Sequence, residues 1–263
     1  MGAVKQSLKK ARSLKPSRIR QDAERHFRLE LVSSDEAERQ ALSRLFVPDQ
    51  LLGAERNRAV AHFHAAGDSA AELRVCGPSA PVANAIAVDW RDPEPGLRAL
   101  LAAHPRYRLA LGRTFPPLRE LLAVDLIRSV AVRNAALAAI SALPEVFPNP
   151  LSLVLALGEM GSDTVLLTAN QIGLAFELAA LHGERVGWQA QAGRVAAIVA
   201  GGLGWRTLAR ELVGLIPAGI GLSAKSAIAY SGTWAVGMAL WRVSAPEVSL
   251  PTKLPQRRLR QIA

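Results

Sequence analysis

Apolar positions change their period along the chain, and each change marks a different layer. Phe27, Leu29 and Leu31 alternate with Arg28 and Glu30, the period of two expected of a half-buried strand. A polar Ser33-Ser34-Asp35 turn follows. Ser34 or Asp35 is placed to cap a helix over 36–46, with Ala37, Ala41, Leu42 and Leu45 on one face. Residues 72–76 and 84–90 read as short strands separated by the Gly77-Pro78 turn, 96–104 as a helix and 107–111 as a further strand. Strand, helix, strand, strand, helix, strand is the order of a small α/β layer with some parallel pairing.

After Pro116-Pro117 the period becomes helical. Helices are expected over 118–143, 151–181, 189–203, 205–216 and 222–242. Pro144, Pro148 and Pro150 form a corner, and His182-Gly183 acts as a stop. Near the start, Val4, Leu8, Ala11 and Leu14 make one thin apolar stripe, so 3–15 reads as a short basic helix ended by Pro16. Four segments result: a basic amphipathic arm (1–25), a small α/β domain (26–115), a helical unit (116–242) and a basic proline-rich tail (243–263). The fold class is α+β. A small N-terminal α/β layer, open to descent from a degenerate nucleotide-binding fold, precedes an all-α bundle with membrane-hairpin character.

Composition sharpens this picture. Half of the residues are hydrophobic but only 5% are aromatic, so Ala, Leu and Val carry the apolar surface, as in closely packed helices. Cys76 alone cannot make an intramolecular disulfide and fits a reducing compartment. Lysines and Arg12 interrupt Val4 to Leu14, so no signal peptide is expected there. The net charge of +10 is concentrated at the ends: +7 over residues 1–28, +4 over 242–263 and −1 between them. Lys5, Lys9, Lys10, Arg12 and Lys15, with Arg257, Arg258 and Arg260, are candidate contacts to anionic lipid. Solvated tails are the plainer reading of the same pattern.

The apolar half invites the question of a membrane. Its charge-free runs are 13 residues (164–176), 13 (212–224) and 16 (226–241), against about 20 for a straight span. Around Lys225 the strong apolar residues gain ~0.3–0.6 kcal/mol each, while a central lysine costs roughly 2.5–3.5. One helix alone therefore does not secure insertion. A hairpin packed through Gly219, Gly221, Gly232 and Gly237 could, and two basic ends on one side would require an even number of crossings. Glu159, Asp163, Asn170 and Glu177 trace one helical stripe, and Lys225 stands between uncharged runs. Lys225 either pairs with Asp163 or Glu159 inside the bundle, or snorkels outward past a wet acidic face. Trp188, Trp205, Trp234 and Trp241 suit either headgroup depth or a core.

Catalytic motifs do not emerge. A phosphate-binding loop needs glycines and a Lys-Ser/Thr pair, but the first strand leads into Val32-Ser33-Ser34-Asp35-Glu36-Ala37-Glu38-Arg39, which has neither. Carboxylates sit where phosphate would arrive, and Gly112-Arg113-Thr114-Phe115 offers no guanine-reading sequence. His62-Phe63-His64 reads as two surface histidines at a helix end, not a metal pair. Asp89, Asp92 and Glu94, set among prolines, read as a turn. No catalytic, cofactor or metal site is expected.

Several C-terminal segments carry a likeness. They are Arg133-Asn134, Leu143-Pro144 with Pro148 and Pro150, Asp163 with Gln171, Ala180-Leu181-His182-Gly183, Gly204-Trp205-Arg206, Ala209-Arg210-Glu211-Leu212, and Ile216-Pro217-Ala218-Gly219-Ile220-Gly221 followed by Ala227, Ala229, Thr233 and Gly237. Residues 118–242 thereby resemble a bacterial domain family of unknown function, found in inner-membrane proteins of the YcjF type and as an appendage to Era-like GTPases. The resemblance implies association with the bacterial inner (cytoplasmic) membrane, sometimes coupled to a GTPase; if the chain spans, its basic ends place both termini in the cytoplasm, and otherwise the protein is expected to be cytoplasmic. The leading expectation is a non-catalytic membrane-associated structural or adaptor protein, partnered by anionic lipid and by a GTPase or a second copy of itself. The alternative is a soluble polyanion or nucleic-acid binder using the basic termini, disfavoured because the tails hold few aromatics to stack on bases. A third, weaker reading is an enzyme whose site assembles from residues far apart in sequence.

Overall fold

Four short strands, β1 (Leu29–Val32), β2 (Phe63–His64), β3 (Leu73–Cys76) and β4 (Ile86–Ala87), form one parallel sheet in the order β2-β1-β3-β4. The computed structural model describes residues 15–64, 71–79, 81–146, 150–201 and 221–244, with side chains outside 141–165 and 221–224. Leu29 pairs with both Phe63 and Leu73, and Val32 with Cys76, so β1 is an interior strand. An interior parallel strand is covered on both faces. Glu30, expected on a wet face, is accordingly only 1% exposed, and its carboxylate accepts a 2.7 Å bond from Arg74 on β3.

Helices α1 (Pro16–Ala23), α2 (Glu36–Phe46), α3 (Gly53–Val60), α4 (Glu94–Ala103) and α5 (Arg108–Thr114) surround the sheet and the start of the helical unit. The Asp35 carboxylate accepts from the Ala37 amide at 2.9 Å, capping α2 where the sequence placed a cap. The buried face of α2 is Glu38, Leu42 and Phe46, with Ala37 outside it. One expectation is corrected. Residues 107–111 are not a strand: a 3-10 turn over Pro105–Tyr107 leads into α5, wedged among α1, α6 and α7. Pro16 occupies the first turn of α1, where its missing N–H costs nothing.

Three long helices follow: α6 (Pro116–Val146), α7 (Pro150–Leu181) and, after a shorter helix α8 over 192–201, α9 (Gly221–Ser244). α6 continues through Pro144, where a corner was expected. α7 stops as the sequence indicated. Gly183 takes φ +71°, and the amides of Gly183 and Glu184 return to the carbonyls of Ala180 and Ala179, a Schellman ending. α6 and α9 run antiparallel, since Asn134 meets Thr233 while Ile127 meets Gly237. A Cβ on Gly237 would come within 2.7 Å of Ile127, so the bare glycine sets their separation.

Rings of Phe27, Phe46, Phe63, Tyr107 and Phe115 meet at the junction of sheet and helices, and the buried residues of both parts join in one apolar cluster. Trp241 is buried, Trp188 packs edge-on against Phe176, and Trp234 is stacked on Tyr230. These three tryptophans belong to protein packing.

Among the described residues, no helix is long and apolar enough to cross a membrane. This overturns the expected location, an integral place in the bacterial inner membrane with both termini cytoplasmic. In their described parts the long helices carry charged and polar side chains: Asp125, Arg128 and Arg133 on α6, Asn170, Gln171 and Glu177 on α7, and Lys225 and Arg242 on α9. The basic helix over 3–15, the helix over 205–216 and the tail over 245–263 lie outside the described residues, and with them Lys5, Lys9, Lys10, Arg12, Arg257, Arg258 and Arg260.

Candidate functional site: a filled strand-end crevice and an open interhelical groove

In a parallel sheet of this order, β1 sends its chain to one side while β3 lies on the other. The loops at their carboxyl ends diverge and leave a crevice, the usual place for a phosphate-bearing ligand. Here the crevice is lined by Ser33 after β1 and by Gly77 and Ser79 after β3, and the Glu38 carboxylate fills it. Ser33 Oγ donates to Glu38 Oε2 at 2.6 Å, and the Ser79 amide donates to Oε1 at 3.2 Å. Glu38 is 2% exposed, shielded by immediate neighbours at the rim of the sheet. The Ser33 bond draws its pKa below the ordinary carboxylate value, against the opposing effect of burial, with Ser79 assisting. A Cβ at Gly77 would overlap that carboxylate. The arrangement binds an anion that the chain itself supplies.

A second feature is open. α1, α6 and α7 enclose a groove of about 490 Å³. Asn170, Gly173, Leu174 and Glu177 form its α7 floor at helical spacing, and Gly173 leaves room where a side chain would stand. Lys15 and Arg18 line it from the α1 side, and Arg133 lines it from α6. Burial raises the pKa of Glu177, while the charges of Arg133 and Arg108 pull it down. Asn170 ties the groove to a polar knot between the long helices: its Nδ2 donates to Asn134 Oδ1 at 2.7 Å. Asn134, fully buried, donates to Thr233 Oγ1 at 3.0 Å, and Gln171 donates to the same oxygen at 3.3 Å.

The residues singled out from sequence are distributed as follows. Asn170 and Glu177 of the expected stripe come together in the groove with Lys15, whereas the side chains of Glu159 and Asp163 lie outside the described residues. Lys225 is half-buried on α9. His62 is half-buried: its Nδ1 lies 2.8 Å from the Phe27 carbonyl, and its ring stacks on Phe27. Among the described residues no cluster of His, Cys, Asp and Glu could hold a metal ion. Asp89 accepts from the Arg91 amide at 2.9 Å, and Glu94 pairs with Arg98, so this acidic run is turn and helix surface.

His182 was not anticipated as a titrating group. It packs 4.6 Å from the Trp241 ring, and its buried Nε2 has no hydrogen-bond partner among the described residues. Burial, aided by the charge of Arg119, pushes its pKa down to about 4. The unfolded chain, with an ordinary value near 6.5, takes up a proton before the folded one does. His182 therefore favours the fold fully above about pH 6.5, and that contribution is lost as pH falls toward about 4. His182→Phe should flatten the fall in urea midpoint across this window. An unchanged slope would place the loss in other groups.

Compared with known proteins, the chain matches no family model, no curated protein and no solved structure.

Proposed function

We propose that this protein is a non-catalytic adaptor, built on a nucleotide-type sheet whose ligand crevice holds an internal carboxylate in place of a bound phosphate. The observation that carries the reading is the Glu38 carboxylate between Ser33 Oγ and the Ser79 amide. A nucleotide would have to displace a buried, hydrogen-bonded anion and then place its own charge beside Asp35 and Glu36. The adaptor part of the reading is supported by α6, on which the apolar side chains of Val124, Val132 and Ile140 stay exposed. A protein partner is the occupant such a surface suits, and a GTPase is the first to test because the sequence resemblance implies one.

Calorimetric titration of the full chain with GTP, GDP and ATP in the presence of Mg²⁺ should give no binding heat. A micromolar dissociation constant for any of them would overturn the proposal.

A further inference from the structure

The groove between α1, α6 and α7 is a separate feature from the filled crevice, and its chemistry does not depend on the reading above. Three cations face it: Lys15 just before α1, Arg18 on α1 and Arg133 on α6. Arg108 of α5 adds its charge near Glu177. Of the two carboxylates, Asp22 already has a partner, since Arg25 donates to it at 2.6 Å and Arg18 lies 4.0 Å away. Among the described residues, the hydrogen bond that Arg133 makes is a long one, 3.5 Å to Ser129 Oγ, and its guanidinium stays exposed beside the charge of Glu177. Glu177 makes no hydrogen bond or ion pair with the described residues, although it sits at the floor. Between floor and rim the walls are apolar, with Ile19, Leu109, Val130 and Leu174. The cavity lies within the size range of small-molecule sites, roughly 300–1,000 Å³.

We infer that this groove binds a small single-chain amphiphile with an anionic head, its alkyl chain against Ile19, Leu109, Val130 and Leu174 and its head among Arg18, Arg133 and Lys15. Two charge arguments favour an anion over a cation. The rim cations outnumber the carboxylate still free to oppose them, and an arginine fork matches carboxylate or phosphate oxygens at two points. Glu177 fits the same ligand when protonated, because a neutral carboxyl at the floor donates a hydrogen bond to an anionic head and an ionised one repels it. Burial of Glu177 acts in that direction, and Asn170 offers an amide beside it.

The test is calorimetry on the full chain with decanoate, decyl phosphate and decylamine, each used as a monomer in solution. Decanoate or decyl phosphate should bind at least about tenfold more tightly than decylamine, and whichever of the two prevails identifies the head as carboxylate or phosphate. The double variant Arg18→Gln/Arg133→Gln, altered at exposed positions that keep the fold, should weaken binding by about tenfold or more. Glu177→Gln, which keeps a neutral donor, should bind at least as tightly as the wild type. Three results would each overturn the inference: decylamine binding as well as the anions, the double arginine variant binding unchanged, or Glu177→Gln abolishing binding while retaining the wild-type melting temperature. Failure of all three ligands to bind near millimolar concentration would overturn it as well. None of these outcomes bears on nucleotide binding, so the two proposals fail separately.

Discussion

Replacing Asn134 with leucine is expected to destabilise the protein by about 3 kcal/mol, a fall in melting temperature of roughly 6–12 °C for a chain of this size. Leucine has the same number of side-chain heavy atoms as asparagine and the same branch at Cγ, so most of the loss comes from polarity. Asn134 is fully buried where α6, α7 and α9 meet; it donates to Thr233 at 3.0 Å and accepts from Asn170 at 2.7 Å. Leucine removes these bonds and a longer one, at 3.4 Å, to the Leu167 carbonyl, and leaves the partners facing hydrocarbon, at about 1–3 kcal/mol for each group that finds no substitute. Asn170 borders the groove and can turn toward water, while Thr233 keeps its bond from Gln171, so the expected total lies below the full sum. A second substitution probes the same knot. Adding Thr233→Val should recover little of the loss, because it takes from Gln171 the bond that Thr233 still accepts. Urea unfolding of the single and double variants measures both numbers. A single variant within about 0.5 kcal/mol of wild type would mean that the knot is not dry.

The same residues show how far the sequence could be read. Arg133-Asn134, Gln171 and Thr233 stood out as motif positions, yet nothing in their spacing said that Asn134, Gln171 and Thr233 meet; only the antiparallel seam of α6 and α9 against α7 brings them together. Local signals fared better. The Asp35 cap and the Gly183 stop act within one turn of themselves, so they were legible and lie where expected. Tyr107, Leu109 and Leu111 alternate over five residues, too short a window to separate a strand from a helix buried on most sides. α3 was missed because Gly53–Val60 buries only Ala59 and so has no apolar period to detect. β2 was missed because two residues make no pattern.

Glu38 was hidden for a different reason. It was one of several carboxylates following the first strand, whereas its partners at Gly77 and Ser79 lie about forty residues away and arrive only through the β1–β3 pairing. The signal that could have found it was a glycine at the end of β3, a position that a side chain would otherwise occupy. Likewise, the apolar character of the long helices suggested lipid. Among the described residues much of that surface is turned inward against neighbouring helices, with polar side chains at the contacts.

Gly77→Ala is expected to cost about 2–3 kcal/mol, and Glu38→Ala to remove most of that cost. The added Cβ would overlap the Glu38 carboxylate, so the side chain must leave the crevice and give up the bonds from Ser33 and Ser79. Bonds to a charged acceptor are each worth about 1.5–3 kcal/mol, partly regained from water once the carboxylate swings out. If Glu38 is already alanine, the crevice is empty and the new methyl group has nothing to displace. Gly77→Ala should then cost no more than about 0.5 kcal/mol, a coupling of about 2 kcal/mol in a double-mutant cycle. Additive effects would show that the overlap is relieved elsewhere and that the carboxylate is not a plug. A second readout tests what the plug replaces: inorganic phosphate should raise the melting temperature of Glu38→Ala and leave the wild type unmoved, since only the variant offers the Ser33 hydroxyl and Ser79 amide to an external anion.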